Sequence, residues 1–437
     1  MRRLLCVGFL VFTGVVFGQK SMDFAACLQV ALQNNLDIKS AGIGEETAKY
    51  QYKASYGKLA PTLSANGFER TRYNQLYDFQ TNSYVDNTER EFRGTVRGTF
   101  NLFAGFNVIN SIKMQKNEYA IAKISSQQIG REITIALAEK YITILYLQEV
   151  IKANEAQILA STKQLDVAQL KFDAGVISES ELFKIKSQKA TEELELLSNQ
   201  NKLAENWISL KQLLNLPISE EILLVKPEIK IDQTVLTAEN SFELAKQAID
   251  LHPLNSLSVL KEKKAKAALA VARSNRYPNI NLEYLYRTSY FSTNELVSPD
   301  LQFDRNRNGF LRFNLVIPIF NQLTTFSKIK VAKGAYKQAV VNTEIIRNQT
   351  TKAVMKAITD TKTAAKKVEA ATLAFAFAQK SFEADALKFE LGKININELN
   401  TTKKAFSTAQ TELIQSNYEL MYNNALINFY LGEEFKL

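Results

Sequence analysis

Lys171-Phe172-Asp173-Ala174-Gly175 and Lys388-Phe389-Glu390-Leu391-Gly392 stand 217 residues apart, and each runs on to a Glu-Leu pair, Glu181-Leu182 in one case and Glu398-Leu399 in the other. The same offset of 217 carries Pro61 onto Pro278 and Phe103 onto Phe320. Because the register does not drift, the chain reads as one unit of about 210 residues written twice, and a long-period repeat governs every later inference. Whatever the protein does, it does with two quasi-equivalent halves.

Compartment decides which solvent those halves meet. Met1-Arg2-Arg3 followed by an apolar run from Leu4 to Phe17 has the shape of a secretory signal, with small residues around Gly18 for cleavage, so residues 1–18 are expected to be removed. A lipoprotein cut before Cys27 is the rival reading, but Lys20 and Asp23 interrupt the apolar run it needs. Cys6 would leave with the signal, so one thiol remains and an internal disulfide is excluded. The formal charge of +9 is spread along helical segments in which Lys and Arg alternate with Asp and Glu. Runs such as Lys261-Glu262-Lys263-Lys264 read as solvated helix faces and not as a nucleic-acid surface. After residue 18 no apolar stretch is long enough for a transmembrane helix, which leaves a β-barrel as the route into a membrane.

Proline is absent from 62 to 216 and from 319 onward, as long helices require. Apolar residues return every seventh position at Leu137, Ile144, Ile151, Ile158, Leu165 and Phe172, and the counterpart run is Val354, Thr361, Val368, Phe375, Phe382 and Phe389, apolar but for Thr361. That period implies helices packed side by side with a left-handed supercoil. The next candidate seam, Tyr141, Gln148, Glu155, Thr162 and Gln169, is polar, which fits a ring of helices with one wet face. Residues 106–174 would form a helix of roughly 100 Å, while 178–214 and 22–58 give roughly 55 Å each, so two short helices match one long one. The same lengths recur at 323–391, 395–431 and 239–275.

Between these helices the period changes to two. Phe92, Gly94, Val96, Gly98, Phe100 and Leu102 alternate with Arg93, Thr95, Arg97, Thr99 and Asn101. In the second half Ile280, Leu282, Tyr284 and Tyr286 alternate with Asn279, Asn281, Glu283 and Arg287, and Leu311, Phe313 and Leu315 with Arg312 and Asn314. Polar loops are expected at the hairpin tips, near 73–90 and 292–307. Strands with an apolar outer face and a polar inner face suit a transmembrane barrel. Four of them cannot close one, so a membrane location forces oligomerisation. A soluble four-stranded sheet packed on helices is the alternative; it leaves unexplained why two strands begin straight after prolines at helix ends.

At this point the chain resembles the TolC-like outer membrane efflux protein family over residues 22–435. The resemblance rests on the duplication and on Ala31-Leu32-Gln33-Asn34-Asn35-Leu36, echoed around Ala248 to Leu254. Ala60-Pro61-Thr62-Leu63 and Tyr277-Pro278-Asn279-Ile280 at the strand entries, and the two Lys-Phe-acid-x-Gly turns, complete it. It implies a mainly α chain with a transmembrane β-barrel, built as a duplicated helix-strand-strand-long helix-short helix unit. A homotrimer would then form a 12-stranded barrel continuous with a 12-helix periplasmic α-barrel tunnel. The corresponding division is a signal peptide at 1–18 and a first repeat at 19–214 with its hairpin near 61–103. An equatorial linker at 215–238 and a second repeat at 239–437, with its hairpin near 278–320, follow. The implied function is the exit duct of a tripartite efflux or type I export system in the cell outer membrane. Its partners would be outer membrane lipid, a periplasmic adaptor (membrane fusion protein) and an inner-membrane RND or ABC transporter. A stand-alone porin-like channel or a structural envelope-spanning protein is the alternative.

The sites follow the same resemblance. The family closes its periplasmic end with acidic side chains at the helix turns, which makes Glu181 and Glu398, with Asp173 and Glu390, the candidate aperture. The turns Gly175-Val176-Ile177 and Gly392-Lys393-Ile394 are the candidate adaptor-docking tips. Ile394 and Phe389 stand where the family has a latch arginine and its aromatic hydroxyl partner, so other contacts must hold this tip. A plainer role for Glu181 and Glu398 is to stabilise the start of a helix. Arg93, Arg97, Arg287 and Arg312 are expected to face the barrel lumen. The single histidine, His252, precedes Pro253 where the first half has Asn35, and reads as a turn residue. No phosphate loop, metal-ligand spacing or nucleophile with a base is present, so neither catalysis nor a cofactor is expected.

Overall fold

The computed structural model describes residues 20–227, 241–293 and 296–437. The expected signal, 1–18, and residues 228–238 of the expected linker lie outside them. In chain order the elements open with β1 (Lys20–Met22), α1 (Phe24–Asn34), α2 (Leu36–Tyr56), β2 (Thr62–Asp78), β3 (Ser83–Ala104), α3 (Asn107–Asp173) and α4 (Glu179–Leu214). There follow β4 (Ile222–Leu224), α5 (Ser241–Leu251), α6 (Pro253–Ser274), β5 (Asn279–Phe291), α7 (Pro299–Arg305), β6 (Asn308–Val316), α8 (Thr324–Glu390) and α9 (Ile396–Tyr430). The offset of 217 maps α1 onto α5 and α3 onto α8 with no error at either end, and both long helices contain 67 residues. Even the unusual backbone repeats. Gly105 and Phe106 enter α3 with φ of 58° and 65°, and Gln322 and Leu323 enter α8 with 53° and 64°.

The chain divides into two compact units. The first gathers residues up to Ser40, 128–252 and 350–437. Its core joins Phe24, Cys27 and Ala31 of α1 to Leu137, Tyr141 and Ile144 of α3, Leu210 and Leu214 of α4, and Tyr418, Met421 and Phe429 of α9. Cys27 is fully buried in α1, where it packs in this core, and burial and then Asp23 push its thiol up to about 12. Tyr141, expected on the wet seam, is buried, and its hydroxyl donates to the Val225 carbonyl at 2.5 Å. The reason is a parallel pair of three-residue strands, β1 and β4, which its ring covers; strands so short leave no periodic trace in sequence. The segment read as one helix, 22–58, breaks at Asn35. There the Asn35 side chain accepts from the Asp37 and Ile38 amides and donates to the Leu213 carbonyl. His252 occupies the equivalent turn between α5 and α6, buried beside the Tyr430 ring.

The second unit, residues 41–127 and 253–349, holds an antiparallel sheet in the order β2-β3-β5-β6. Its register confirms the period of two: Val96 lies opposite Ala65 and Tyr286, while Arg97 lies opposite Ser64 and Leu285. A bulge at Leu102 ends that alternation before Phe103. The first hairpin departs from expectation, because β2 and β3 pair as far as Asp78 and Ser83 and only residues 79–82 turn. The expected loop at 73–90 is therefore mostly strand. Beyond Phe92 both faces carry polar residues, so the hydrophobic alternation disappears while cross-strand pairs such as Gln75 with Asp86 keep the ladder. In the second hairpin the expected loop contains α7, whose Gln302 accepts from the Phe291 amide and whose Phe303 packs edge-on against Phe92. β6 stops at Val316, two residues before Pro318, which has no N–H for the ladder.

Candidate functional site

Two regions carry the candidate residues, and each is built by local rules. At the ends of α3 and α8 the chain turns through a Schellman motif. Val176 N–H bonds to the Lys171 carbonyl and Gly175 N–H to Phe172, both at 2.8 Å. Lys393 and Gly392 repeat this on Lys388 and Phe389 at 2.8 and 3.0 Å. Gly175 and Gly392 take φ of +72° and +69°, the left-handed region that motif requires. The next helix then starts on a cap. Ser178 Oγ accepts from the Glu181 amide while the Glu181 carboxylate accepts from the Ser178 amide, both at 3.3 Å, a capping box. In the second half Asn395 Oδ1 accepts from the Glu398 amide at 3.1 Å, and its Nδ2 donates to the Glu398 carboxylate at 2.8 Å.

Ile177 and Ile394 precede these caps and pack against the cluster that contains Leu182 and Leu399, in the relation of a hydrophobic staple. Ala168, Ile185 and Ile396 complete that cluster, with Phe172 and Phe389 beside it, and Lys171 places its ammonium 5.5 Å from the centre of the Phe389 ring. The six tip residues differ in exposure. Gly175, Val176, Gly392 and Lys393 are exposed, Val176 by 69%, whereas Ile177 and Ile394 turn inward to close the tip. Of the four candidate aperture acids, Glu181 and Glu398 bond their own helix starts, Asp173 accepts from Gln169 at 2.9 Å, and Glu390 is exposed. The Ile-Ser-x-x-Glu-Leu and Ile-Asn-x-x-Glu-Leu strings carried the capping signal in plain view.

Sequence reasoning missed a charge pair farther along the same helices. Glu192 of α4 and Lys403 of α9, each 3% exposed, pair at 2.7 Å. Ser161 of α3 donates to Glu192 and accepts from Lys403, and Gln157 and Gln188 both donate to Glu192 at 3.0 Å. Burial alone would raise the Glu192 pKa, but bonds from Lys403, Ser161 and Gln188 outweigh it and hold the carboxyl below its ordinary value. No single helix shows this, because its three members lie at sequence separations of 31 and 242 residues.

The second region is the polar face of the sheet. Register places Arg93, Arg97, Arg287 and Arg312 on that one face, with Arg70, Arg72, Glu89, Glu91 and Glu283. Glu91 bridges Arg70 and Arg93, Glu89 meets Arg72 at 3.3 Å, and Glu283 lies between Arg97 at 3.6 Å and Arg312 at 4.0 Å. The opposite face carries Val96, Phe100, Leu282, Tyr284, Tyr286, Leu311, Phe313 and Leu315. Leu311, Phe313 and Leu315 are largely exposed in the single chain. Below the sheet, a cleft of 610 Å³ is lined by Lys58, Asn101, Asn107, Asn275 and Tyr277. Among the described residues no group of His, Cys, Asp and Glu is arranged to hold a metal, and no helix is long and apolar enough to cross a membrane.

Comparison with known proteins fits this geometry. The model of a family described as outer membrane efflux protein matches residues 27–216 and 236–433. Among solved structures, the CmeC outer membrane channel of Campylobacter jejuni superposes with a TM-score of 0.81 at 15% identity, over 94% of this chain and 86% of its own. The outer membrane protein VceC of Vibrio cholerae gives 0.77 at 15% over 94% and 97%, and CusC gives 0.77 at 18% over 94% and 92%. At such identities these likenesses carry the fold.

Proposed function

We propose a function for this chain from one premise: it belongs to the outer membrane efflux protein family. It is therefore an outer membrane transport protein and not an enzyme. We infer that it is the exit duct of a tripartite efflux or type I export system. In that role it would receive cargo from an inner-membrane RND or ABC transporter through a periplasmic adaptor. The observation that supports this most directly is the sheet, which has an apolar face, a charged face and two open edges, β2 and β6. Unpaired edges are not tolerated in lipid, so three copies closing a 12-stranded barrel, with the apolar face on lipid and the arginine face on the lumen, satisfy every strand. The long helices α3 and α8 follow directly on β3 and β6 and would supply the periplasmic tunnel. At its end, Gly175, Val176, Gly392 and Lys393 would meet the adaptor, and Glu181, Glu398, Asp173 and Glu390 would surround the aperture.

In detergent the protein is expected to scatter as three chains, each of 49.3 kDa before loss of a leader; a monodisperse monomer overturns the assembly. Val96→Arg, on the lipid face, is expected to cost about 2 to 4 kcal/mol in membrane insertion, and Arg97→Val much less. Equal effects would reverse the faces. Val176→Asp is expected to abolish adaptor capture and cargo export while trimers still form. Export that proceeds without any adaptor would point to a stand-alone channel.

A further inference from the structure

We propose that the charged face of the sheet selects amphipathic organic anions, carboxylates or sulfonates borne on an apolar or aromatic body, as the cargo that leaves through the barrel. The proposal rests on the exit-duct reading, in which that face lines the lumen.

Three observations carry it. The first is sign: between Thr62 and Arg72 on β2 and along β3, β5 and β6, the face holds six arginines, Arg70, Arg72, Arg93, Arg97, Arg287 and Arg312, against three glutamates. A water-filled wall needs charge to stay solvated, but it needs neither sign in particular. The second is reach. The glutamates are withdrawn while the guanidiniums project: Glu283 is 20% exposed against 55% for Arg97 and 57% for Arg312, and Glu91 is 3% exposed. Each carboxylate thus neutralises its neighbours from below and leaves guanidinium edges facing the solvent. Arg287 lies across from Thr95 and Asn308, both uncharged, so its charge is not offset on either side.

The third observation is what separates an amphipathic anion from a small one. Phe68 and Phe310 occupy the same face, and the Arg312 guanidinium lies over the Phe310 ring, 4.6 Å from its centre, while Arg93, 5.6 Å from Phe68, is held by Glu91. A guanidinium on a ring is held flat with its N–H fork outward, the geometry that grips a carboxylate or sulfonate with two bonds. The apolar patch beside it takes the body of the same molecule. Chloride or acetate uses only the first half of this arrangement.

The test uses the full trimer in planar bilayers, with naphthalene-2-sulfonate as probe, methanesulfonate as its small counterpart and a naphthyl-trimethylammonium as the matched cation. Reversal potentials in a potassium chloride gradient should show anion preference. Naphthalene-2-sulfonate should block the current at a concentration about tenfold below that of either comparison compound. Arg97→Gln/Arg287→Gln/Arg312→Gln should abolish both the preference and the difference in block while the pore still conducts. Equal block by the matched cation, or a triple variant that behaves like the parent, overturns the proposal. A separate arm guards the reading beneath it: Arg287→Cys is treated with a charged, impermeant thiol reagent, Cys27 being buried in both parent and variant. Modification that changes conductance keeps the face in the lumen, so a failure of selectivity then falls on the anion proposal alone. Modification without effect on conductance removes the lumen reading itself.

Discussion

The two halves agree to within one residue in their paired helices and disagree in their hairpins. α3 and α8 are both 67 residues long and start and stop at positions related by 217, whereas β2 and β3 run for 17 and 22 residues and β5 and β6 for only 13 and 9. The difference is physical. One residue added to a helix turns everything beyond it by about 100° and tears a seven-residue seam. A hairpin can lengthen at its tip without moving a rung nearer its base. The helices also differ at points where equivalence of length conceals a change of chemistry. Ser161, Glu192 and Lys403 form a buried triad, but the positions related to them by 217 are Ala378, Ala409 and Lys186. The triad takes Ser161 and Glu192 from the first half and Lys403 from the second, and the related positions cannot form its mirror image.

The largest effect should come from that asymmetry. Lys403→Met leaves Glu192 buried without its cation and is expected to cost about 3 to 5 kcal/mol. Lys186→Met, at the exposed equivalent, should stay within about 0.5 kcal/mol. Urea unfolding followed by helical circular dichroism reads both, and Lys403→Met/Glu192→Leu should recover most of the loss. Equal effects at 403 and 186 would make the halves equivalent here after all.

The helix entries give the next test. A Cβ on Gly105, at φ +58°, would stand 2.5 Å from the Ser274 carbonyl oxygen and 2.7 Å from Tyr277 Cβ. The second half carries Gln322 in the same conformation. Gly105→Ala should therefore cost about 2 kcal/mol or more, while Gln322→Ala changes thermal stability little. At the tips the halves should behave alike. Gly175 and Gly392 both have positive φ and open space around a would-be Cβ, so alanine at either should cost only the left-handed penalty, about 1 kcal/mol. A large difference between the two would show that the tips are held unequally.

The smallest effect concerns the paired turns at Asn35 and His252. Burial, and then the charge of Arg131, lower the His252 pKa, so the folded protein binds this proton less readily than the unfolded chain. Its contribution is present above the unfolded value of about 6.5 and is lost as pH falls below it. Thermal melts between neutral and mildly acidic pH should show that slope, and His252→Asn, which installs the first-half residue, should flatten it.

Much of this was legible because repetition and period are properties of sequence. The 217 offset located the helical segments in pairs, α1 and α2 with α5 and α6, α3 with α8 and α4 with α9, and Val96 against Arg97 already separated the two faces of the sheet. What escaped had no period to show. β1 and β4 are three residues each and exist only because Tyr141 and their own pairing cover them. The outer reach of β2 and β3 carries polar residues on both faces. Ile177 and Ile394 look like an exposed apolar tip until the caps at Ser178 and Asn395 show which way each helix begins.

The parallel pair of β1 with β4 also has a consequence in time. Closing a loop of about 200 residues carries an entropic cost that grows only with the logarithm of its length, so distance along the chain is a weak obstacle to this contact. A chain delivered from its N-terminus has both strands in hand once Leu224 has emerged, before any of α5 to α9 is needed. The first half can thus fasten its beginning to its end on its own. Phe435, which packs on Phe24 from the other end of the chain, can join that core only after the second half has followed.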